Sequence, residues 1–284
     1  MPDAAEIDAV NTALYLRRPL LITGKPGTGK STLAYSIAAD LQLGPVLHWP
    51  ITSRTTLRDG LYQYDAIGRL HDANLRSFES ESASIDPSIG RYLRLGPLGT
   101  SLIPHDMPRV LLIDEIDKSD IDLPGDLLTV FEEGSFDVPE LARVAARHPE
   151  VRVGTEDDPE TGVNVPRGKI SCSTFPIVIL TSNGERDFPP PFLRRCIRLH
   201  MGPPSKEKLT QIVRQRMKLE SDDAMAQYQD IIDAFINRRL EGDLATDQLL
   251  NAVQLRLSGA WQDATDQSHF LETVLQRLTG PTLG

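Results

Sequence analysis

Cysteine is nearly missing from this chain: Cys172 and Cys196 are the only two in 284 residues, too few for a disulfide framework. Each lies beside an apolar segment that reads as core, and a reducing, cytoplasmic setting fits best. Long apolar runs are missing too. The longest are strand-length, and Met1 to Val10 is acidic with neither a basic flank nor an apolar centre. Neither an export signal nor a membrane span is expected from such a pattern. Aromatic residues are scarce at 6%, and the formal net charge is −10. A protein that follows nucleic acid needs a basic track with stacking aromatics, so nucleic acid is not indicated as a partner.

What is present argues for a folded protein of about two domains, because 284 residues with a hydrophobic share of 40% can bury a sizeable core. Short apolar runs recur at Leu20 to Ile22, Val46 to Trp49, Val110 to Ile113, Ile177 to Leu180 and Ile197 to Leu199, with helical patterns between them. Such alternation predicts a parallel α/β sheet. After Met201 the chain is punctuated by Gly202, Pro203 and Pro204, and no further strand-like run follows. Apolar residues then repeat at helical spacing: Leu209, Ile212, Val213 and Met217; Ile232, Phe235, Ile236 and Leu240; Leu250, Val253 and Leu257; Leu271, Val274, Leu275 and Leu278. The expected division is an α/β domain over 1–201 and a small four-helix domain over 202–284. Phe78 to Ser84, rich in Ser and Glu, and the acidic stretch Gly154 to Gly162 read as mobile surface loops or solvated linkers.

The segment Gly24-Lys25-Pro26-Gly27-Thr28-Gly29-Lys30-Ser31 fits G-x-x-x-x-G-K-[ST], directly after a strand and before a helix that takes in Thr32. Glycines there allow positive φ, so backbone donors and the helix N-terminus can surround the β- and γ-phosphates of a nucleotide. Lys30 supplies a mobile charge. The Ser31 hydroxyl suits Mg²⁺, a cation that prefers oxygen ligands.

Val110-Leu111-Leu112-Ile113-Asp114-Glu115 is a buried-strand run ending in two acids, where strand tips of open α/β sheets face their ligand. Adjacent strand residues point to opposite sides, so the two carboxylates divide the work. Asp114 holds the metal, and Glu115 is the general base that polarises a water for attack on the γ-phosphate. Asp117 and Lys118 read as rim or subunit-contact residues. No Asn-Lys-x-Asp run of the kind that GTPase switches use for guanine is present; together with the resemblance described next, this favours ATP as the nucleotide.

Taken together, the phosphate loop, Asp114-Glu115 and the later Thr181-Ser182-Asn183 resemble the AAA+ superfamily of ATPases. The resemblance implies a P-loop parallel sheet with a C-terminal all-α lid, and it makes Asn183 the sensor 1 residue. Pro191-Phe192-Leu193-Arg194-Arg195-Cys196 looks like the segment carrying the arginine finger that completes a neighbour's site; Arg195 is the better candidate by position and Arg194 the alternative. Insertions near 51–108, with Tyr62-Gln63-Tyr64-Asp65-Ala66 and Gly96-Pro97-Leu98-Gly99, and near 136–175, the latter containing a hairpin, look like the MoxR-like branch. Asp114-Glu115-Ile116-Asp117-Lys118 points the same way. That branch implies a homo-oligomeric, hexameric ring that remodels or licenses a protein partner, such as a von Willebrand A domain protein, in a defence or maturation system.

Two departures stand out. The usual sensor 2 arginine is replaced by Thr246-Asp247-Gln248, where Gln248 is placed to touch phosphate without charge, and the aromatic-Val-Gly loop of polypeptide-threading rings is missing. Against the remodelling ATPase stand a nucleotide-dependent scaffold with negligible turnover, which Glu115 argues against, and a DNA-acting motor, which the composition disfavours.

Overall fold

The computed structural model describes residues 3–78, 89–219, 221–241, 244–259 and 274–275. Its sheet is built from β1 (Leu20–Thr23), β2 (Leu47–Pro50), β3 (Val110–Asp114), β4 (Ile177–Ser182) and β5 (Ile197–His200). They form a five-stranded parallel sheet in the order β5-β1-β4-β3-β2. The expected α/β fold is therefore present. Strand burial follows position. Central β4 is buried at all six residues, whereas edge strand β2 alternates between buried Leu47 and Trp49 and exposed His48 and Pro50. A central strand covered on both faces needs a continuous apolar run, while an edge strand tolerates alternation and proline.

Register decides what meets at the strand tips. Leu180 lies opposite Ile113 in the β4–β3 pairing, so one residue further along Thr181 comes beside Asp114; across β3, Pro50 lies opposite Asp114. The core beneath includes Leu95, Leu98, Leu102, Ile113, Ile116, Leu127 and Phe192, together with Trp49. Trp49 dictates a glycine: a Cβ at Gly60 would lie 2.3 Å from its indole ring.

Both insertions expected from the sequence carry antiparallel pairs. In the first, Tyr62–Tyr64 pairs with Leu93–Leu95, and the helix Ala66–Phe78 follows the first strand. Phe78 thus belongs to a helix, and the rest of the segment expected as a loop through Ser84 lies outside the described residues. In the second, Ser135–Asp137 pairs with Lys169–Ser171, and Glu150–Val153 with Val163–Pro166.

The acidic stretch Gly154 to Gly162 lies at the surface as expected, with Asp157 to Thr161 exposed, but its first residues are tied to the fold. Thr155 is 3% exposed. Asp157 accepts from the Arg109 guanidinium at 2.7 Å, Arg94 pairs with Glu156 at 3.2 Å, and the Leu95 N–H donates to Gly154 O at 2.8 Å. Burial alone would raise the Asp157 carboxyl, but the hydrogen bond and charge of Arg109 outweigh it and hold it below the usual value. Partial burial of these acids is offset because cations meet them.

The chain divides into two compact units: Met1–Ala4, Thr23–Lys30 and His200–Gly284 in one, Ala5–Ile22 and Ser31–Leu199 in the other. The phosphate-loop segment thus groups with the C-terminal helices Lys206–Met217, Asp222–Ala226, Gln229–Glu241 and Thr246–Leu257. Ser205 starts the first of these by accepting from the Lys208 N–H at 3.3 Å, and Lys218 ends it in the left-handed conformation. Their core packs Leu209, Val213, Ile232, Phe235, Leu249 and Val253. Of the fourth expected helix, Leu271 and Leu278 lie outside the described residues, while Leu275 is 3% exposed in this same core. No helix among the described residues is long and apolar enough to cross a membrane.

Candidate functional site

The phosphate loop leaves β1 and curls back on its own lysine. Lys30 is only 7% exposed, and its ammonium donates to the carbonyls of Gly24 and Lys25 at 2.8 and 3.0 Å. Thr28 Oγ1 also donates to Lys25 O, at 3.0 Å. Gly27 and Gly29 have φ of +76° and +93°, a region that side chains disfavour. Around Gly29 an added Cβ would meet nothing within 4 Å, so the loop keeps open space there. Lys25 and Pro26 are exposed.

Thr246, at the start of the helix Thr246–Leu257, donates its hydroxyl to Gly27 O at 2.6 Å. Gln248, expected to reach phosphate, accepts the Ala245 N–H on its amide oxygen at 3.0 Å, which caps its own helix. Thr246 thus contacts the loop, a contact that sequence reasoning had not singled out.

In the other unit, Asp114 closes β3 with three neighbours. Oδ1 accepts from Ser31 Oγ at 2.8 Å and from Thr181 Oγ1 at 2.5 Å, and Oδ2 lies 3.2 Å from His48 Nε2. Burial pushes this carboxyl up, yet the hydrogen bonds from Thr181, Ser31 and His48 outweigh it and hold it below the usual carboxylate value. Asp114 is therefore kept ionised and already touches the serine of the phosphate loop; Thr32, next in the helix Lys30–Asp40, is exposed.

Glu115 turns away from this group because its backbone is left-handed, at φ 61° and ψ 48°. For a non-glycine residue that conformation costs about 1–3 kcal/mol and persists only where neighbours enforce it. Here the Glu115 N–H donates to Thr181 Oγ1 at 2.9 Å and its carbonyl accepts the Lys118 N–H at 2.9 Å. Thr181 thereby joins the two acids, donating to one and accepting from the backbone of the other. The Glu115 carboxylate receives the Asn183 amide at 3.2 Å on Oε1 and the Lys118 ammonium at 2.6 Å on Oε2.

Asp117 corrects its reading as a rim residue. It is 5% exposed, and Oδ2 accepts the backbone N–H groups of Asn183 and Glu185 at 2.9 and 3.1 Å. Arg194 and Arg195 end the helix Pro190–Arg195 and are both exposed; Arg195 is ion-paired with Glu132 and donates to Pro191 O at 3.3 Å.

The donor chemistry fits a Mg²⁺-nucleotide. Oxygens of Ser31 and Asp114 meet without a cage of further acids, and no cluster of three His, Cys, Asp or Glu suited to a metal occurs among the described residues. Mg²⁺ takes one or two protein oxygens and completes its shell with phosphate and water, so this sparse set suits it. Within the first unit, the open space at Gly29 and the buried Lys30 suit phosphate oxygens.

No curated protein matches the chain. A family model described as AAA domain (dynein-related subfamily) matches residues 19–196, more than half of the 284 and a span holding the phosphate loop, both acids, Asn183 and both arginines. The chain therefore belongs to the dynein-related subfamily of AAA domains, nucleotide-binding members of the AAA+ ATPases.

Proposed function

We propose that this chain is a Mg²⁺-dependent ATPase of the MoxR-like kind that works as a ring and remodels or licenses a protein partner. One observation carries the catalytic reading: the adjacent acids are divided, Asp114 sharing the hydroxyls of Ser31 and Thr181 while Glu115 is turned to the Asn183 amide. In this reading Gly24 to Thr32 bind the triphosphate, with Lys30 countering its charge. Ser31 and Asp114 would hold Mg²⁺, and the ion would neutralise charge on the phosphates.

Glu115 takes a proton as a water oxygen bonds to the γ-phosphorus; the bond from that phosphorus to the β–γ bridging oxygen breaks, giving ADP and phosphate. Asn183 orients Glu115 and the water. Arg195, or Arg194 in its place, reaches a neighbouring subunit's site and stabilises the charge on the transferring group. The insertions supply partner contacts, a role supported by Ile67 and Leu70 of the helix Ala66–Phe78, 83% and 64% exposed. A von Willebrand A domain protein is the partner class this reading favours.

The test separates binding from turnover. Lys30→Ala loses most ATP affinity, whereas Glu115→Gln binds ATP as the wild type does and loses hydrolysis, because one side chain contacts ground-state phosphates and the other acts on attack. Equal loss of binding in both variants rejects Glu115 as the base.

A further inference from the structure

The two antiparallel pairs of the second insertion meet at a turn without joining. Val163–Pro166 pairs with Glu150–Val153, and Lys169–Ser171 pairs with Ser135–Asp137. Between them stand only Arg167 and Gly168, both left-handed at φ of +53° and +77°. A two-residue turn of that kind ordinarily closes a hairpin. Here the strands it links belong to separate two-stranded sheets, so each keeps one edge unpaired among the described residues.

Hydrogen-bond alternation identifies what those edges present. The Arg167 N–H donates to Pro149 O at 2.7 Å, the Val138 N–H to Gly168 O at 2.7 Å and the Cys172 N–H to Gly134 O at 2.9 Å. In an antiparallel pair, residues two apart bond in the same direction and those between them point the other way. The backbone groups of Asn164 and Pro166, and of Lys169 and Ser171, therefore point away from the strands they pair with. All four residues line one cavity of about 440 Å³, whose apolar walls are Ile103, Pro104, Val163, Val165 and Ile170. Every residue from Val163 to Arg167 lines it. Adjacent strand residues face opposite sides, so the cavity runs along the edge of the strand and not beneath one face.

The charge on this cavity has one sign. Arg167 and Lys169 are exposed, neither side chain has a hydrogen bond or ion pair among the described residues, and none of the lining residues is acidic. Lysine and proline on a strand edge discourage pairing with a copy of the same edge. A basic edge still accepts an acidic strand. We infer that the cavity binds an extended polypeptide segment in which apolar residues alternate with acidic ones, added as a strand at these edges. Its N–H groups meet the outward carbonyls, its apolar side chains fill the cavity, and its carboxylates pair with Arg167 and Lys169. This gives a chemistry to the partner contact proposed for the insertions and rests on that role.

The experiment follows the anisotropy of a fluorescein-labelled heptapeptide of alternating Glu and Val added to the full chain. Saturable binding is expected below about 1 mM, weakened at least about tenfold by Arg167→Glu with Lys169→Glu. A peptide with Lys in place of Glu shows the reverse preference. N-methylation of the peptide backbone, at the valines in one probe and at the glutamates in another, removes the donors of each edge in turn while keeping charge and side chains. One of the two abolishes binding, and both are read on the wild type, so the test does not depend on how the double variant folds. Full affinity with both methylated probes overturns the added strand, as does full affinity in the folded double variant. Displacement of the peptide by decanoate at equal concentration overturns a polypeptide as the occupant. Loss of binding in Ile67→Ser with Leu70→Ser, but not in the double variant, overturns this cavity and keeps the partner role in the first insertion. No saturable binding to the wild type up to about 1 mM overturns the cavity and leaves that role to the helix Ala66–Phe78.

Discussion

Asp117 and Asn183 are joined through the backbone: the Asn183 N–H donates to Asp117 Oδ2 at 2.9 Å, and the Glu185 N–H reaches the same oxygen at 3.1 Å. One buried carboxylate thus ties the end of β4 to the turn that follows β3. Its other oxygen, Oδ1, is buried with no hydrogen-bond partner among the described residues. A half-satisfied buried acid is costly, which suggests that its position matters more than its solvation.

From this, Asp117→Ala should leave two backbone donors without an acceptor and destabilise the fold by about 1–3 kcal/mol. Hydrolysis should fall with it, as the Asn183 amide loses its aim at Glu115, while ATP affinity changes little. Asp117→Asn keeps an oxygen acceptor and should stay near wild type. Denaturant unfolding and nucleotide titration on both variants check this. Equal damage from Asn and Ala would mean that the charge is needed, and not the acceptor.

The Arg109–Asp157 pair predicts an acid-sensitive contribution to stability. The Arg109 side chain is 12% exposed, so Asp157→Ala leaves a largely buried guanidinium with a lost partner, at a cost of about 1–3 kcal/mol. The folded carboxyl sits below its ordinary value of 3.8. A depressed pKa gives stability that is fully present above the unfolded value and is lost as pH falls through the folded one. The gap between wild type and Asp157→Ala should therefore be constant at neutral pH and close below about pH 4. Unfolding free energies measured across that window decide it; a gap that persists at low pH would show that the aspartate acts by packing.

The contrast between these two acids explains what the sequence made legible. Gly24 to Ser31 and Asp114-Glu115 are contiguous, their chemistry depends on local spacing, and β3 and β4 announce themselves because strands buried on both faces must be apolar throughout. His48 reaches Asp114 only because β2 lies parallel to β3, a pairing that neither strand states by itself. Thr246 meets Gly27 across 219 residues of chain. In the stretch from Gly154 to Gly162 composition shows the acids and their exposure but not Arg109, 48 residues before the Asp157 it pairs with. Lone polar residues whose partners come from distant elements are the part that periodicity and motif spacing cannot reach.

The last prediction concerns the arginines, where magnitudes decide what the ion pair with Glu132 means. Arg195 and Glu132 have side chains 46% and 53% exposed, and an exposed pair of this sort is worth about 0–1 kcal/mol. A finger supplied in trans is worth on the order of 10³ to 10⁵ in rate in GTPases. That is about 4–7 kcal/mol, several times what Glu132 offers. On the proposed finger role, the pair with Glu132 is too weak to withhold Arg195, and Glu132→Ala should change assembled turnover by less than about fivefold. Arg195→Ala should lower turnover by orders of magnitude while ATP binding persists. Arg194, exposed beside it, goes through the same assay as the competing assignment. Mixing gives the sharper readout: Arg195→Ala subunits keep an intact phosphate loop and Lys30→Ala subunits keep an intact finger, so mixed rings regain some complete interfaces that neither pure variant has. Partial recovery of hydrolysis is the expected outcome. Recovery with Arg194→Ala in place of Arg195→Ala, and none with Arg195→Ala, would move the finger to Arg194; no recovery with either, in assemblies shown to be mixed, would end the shared-site mechanism for this chain.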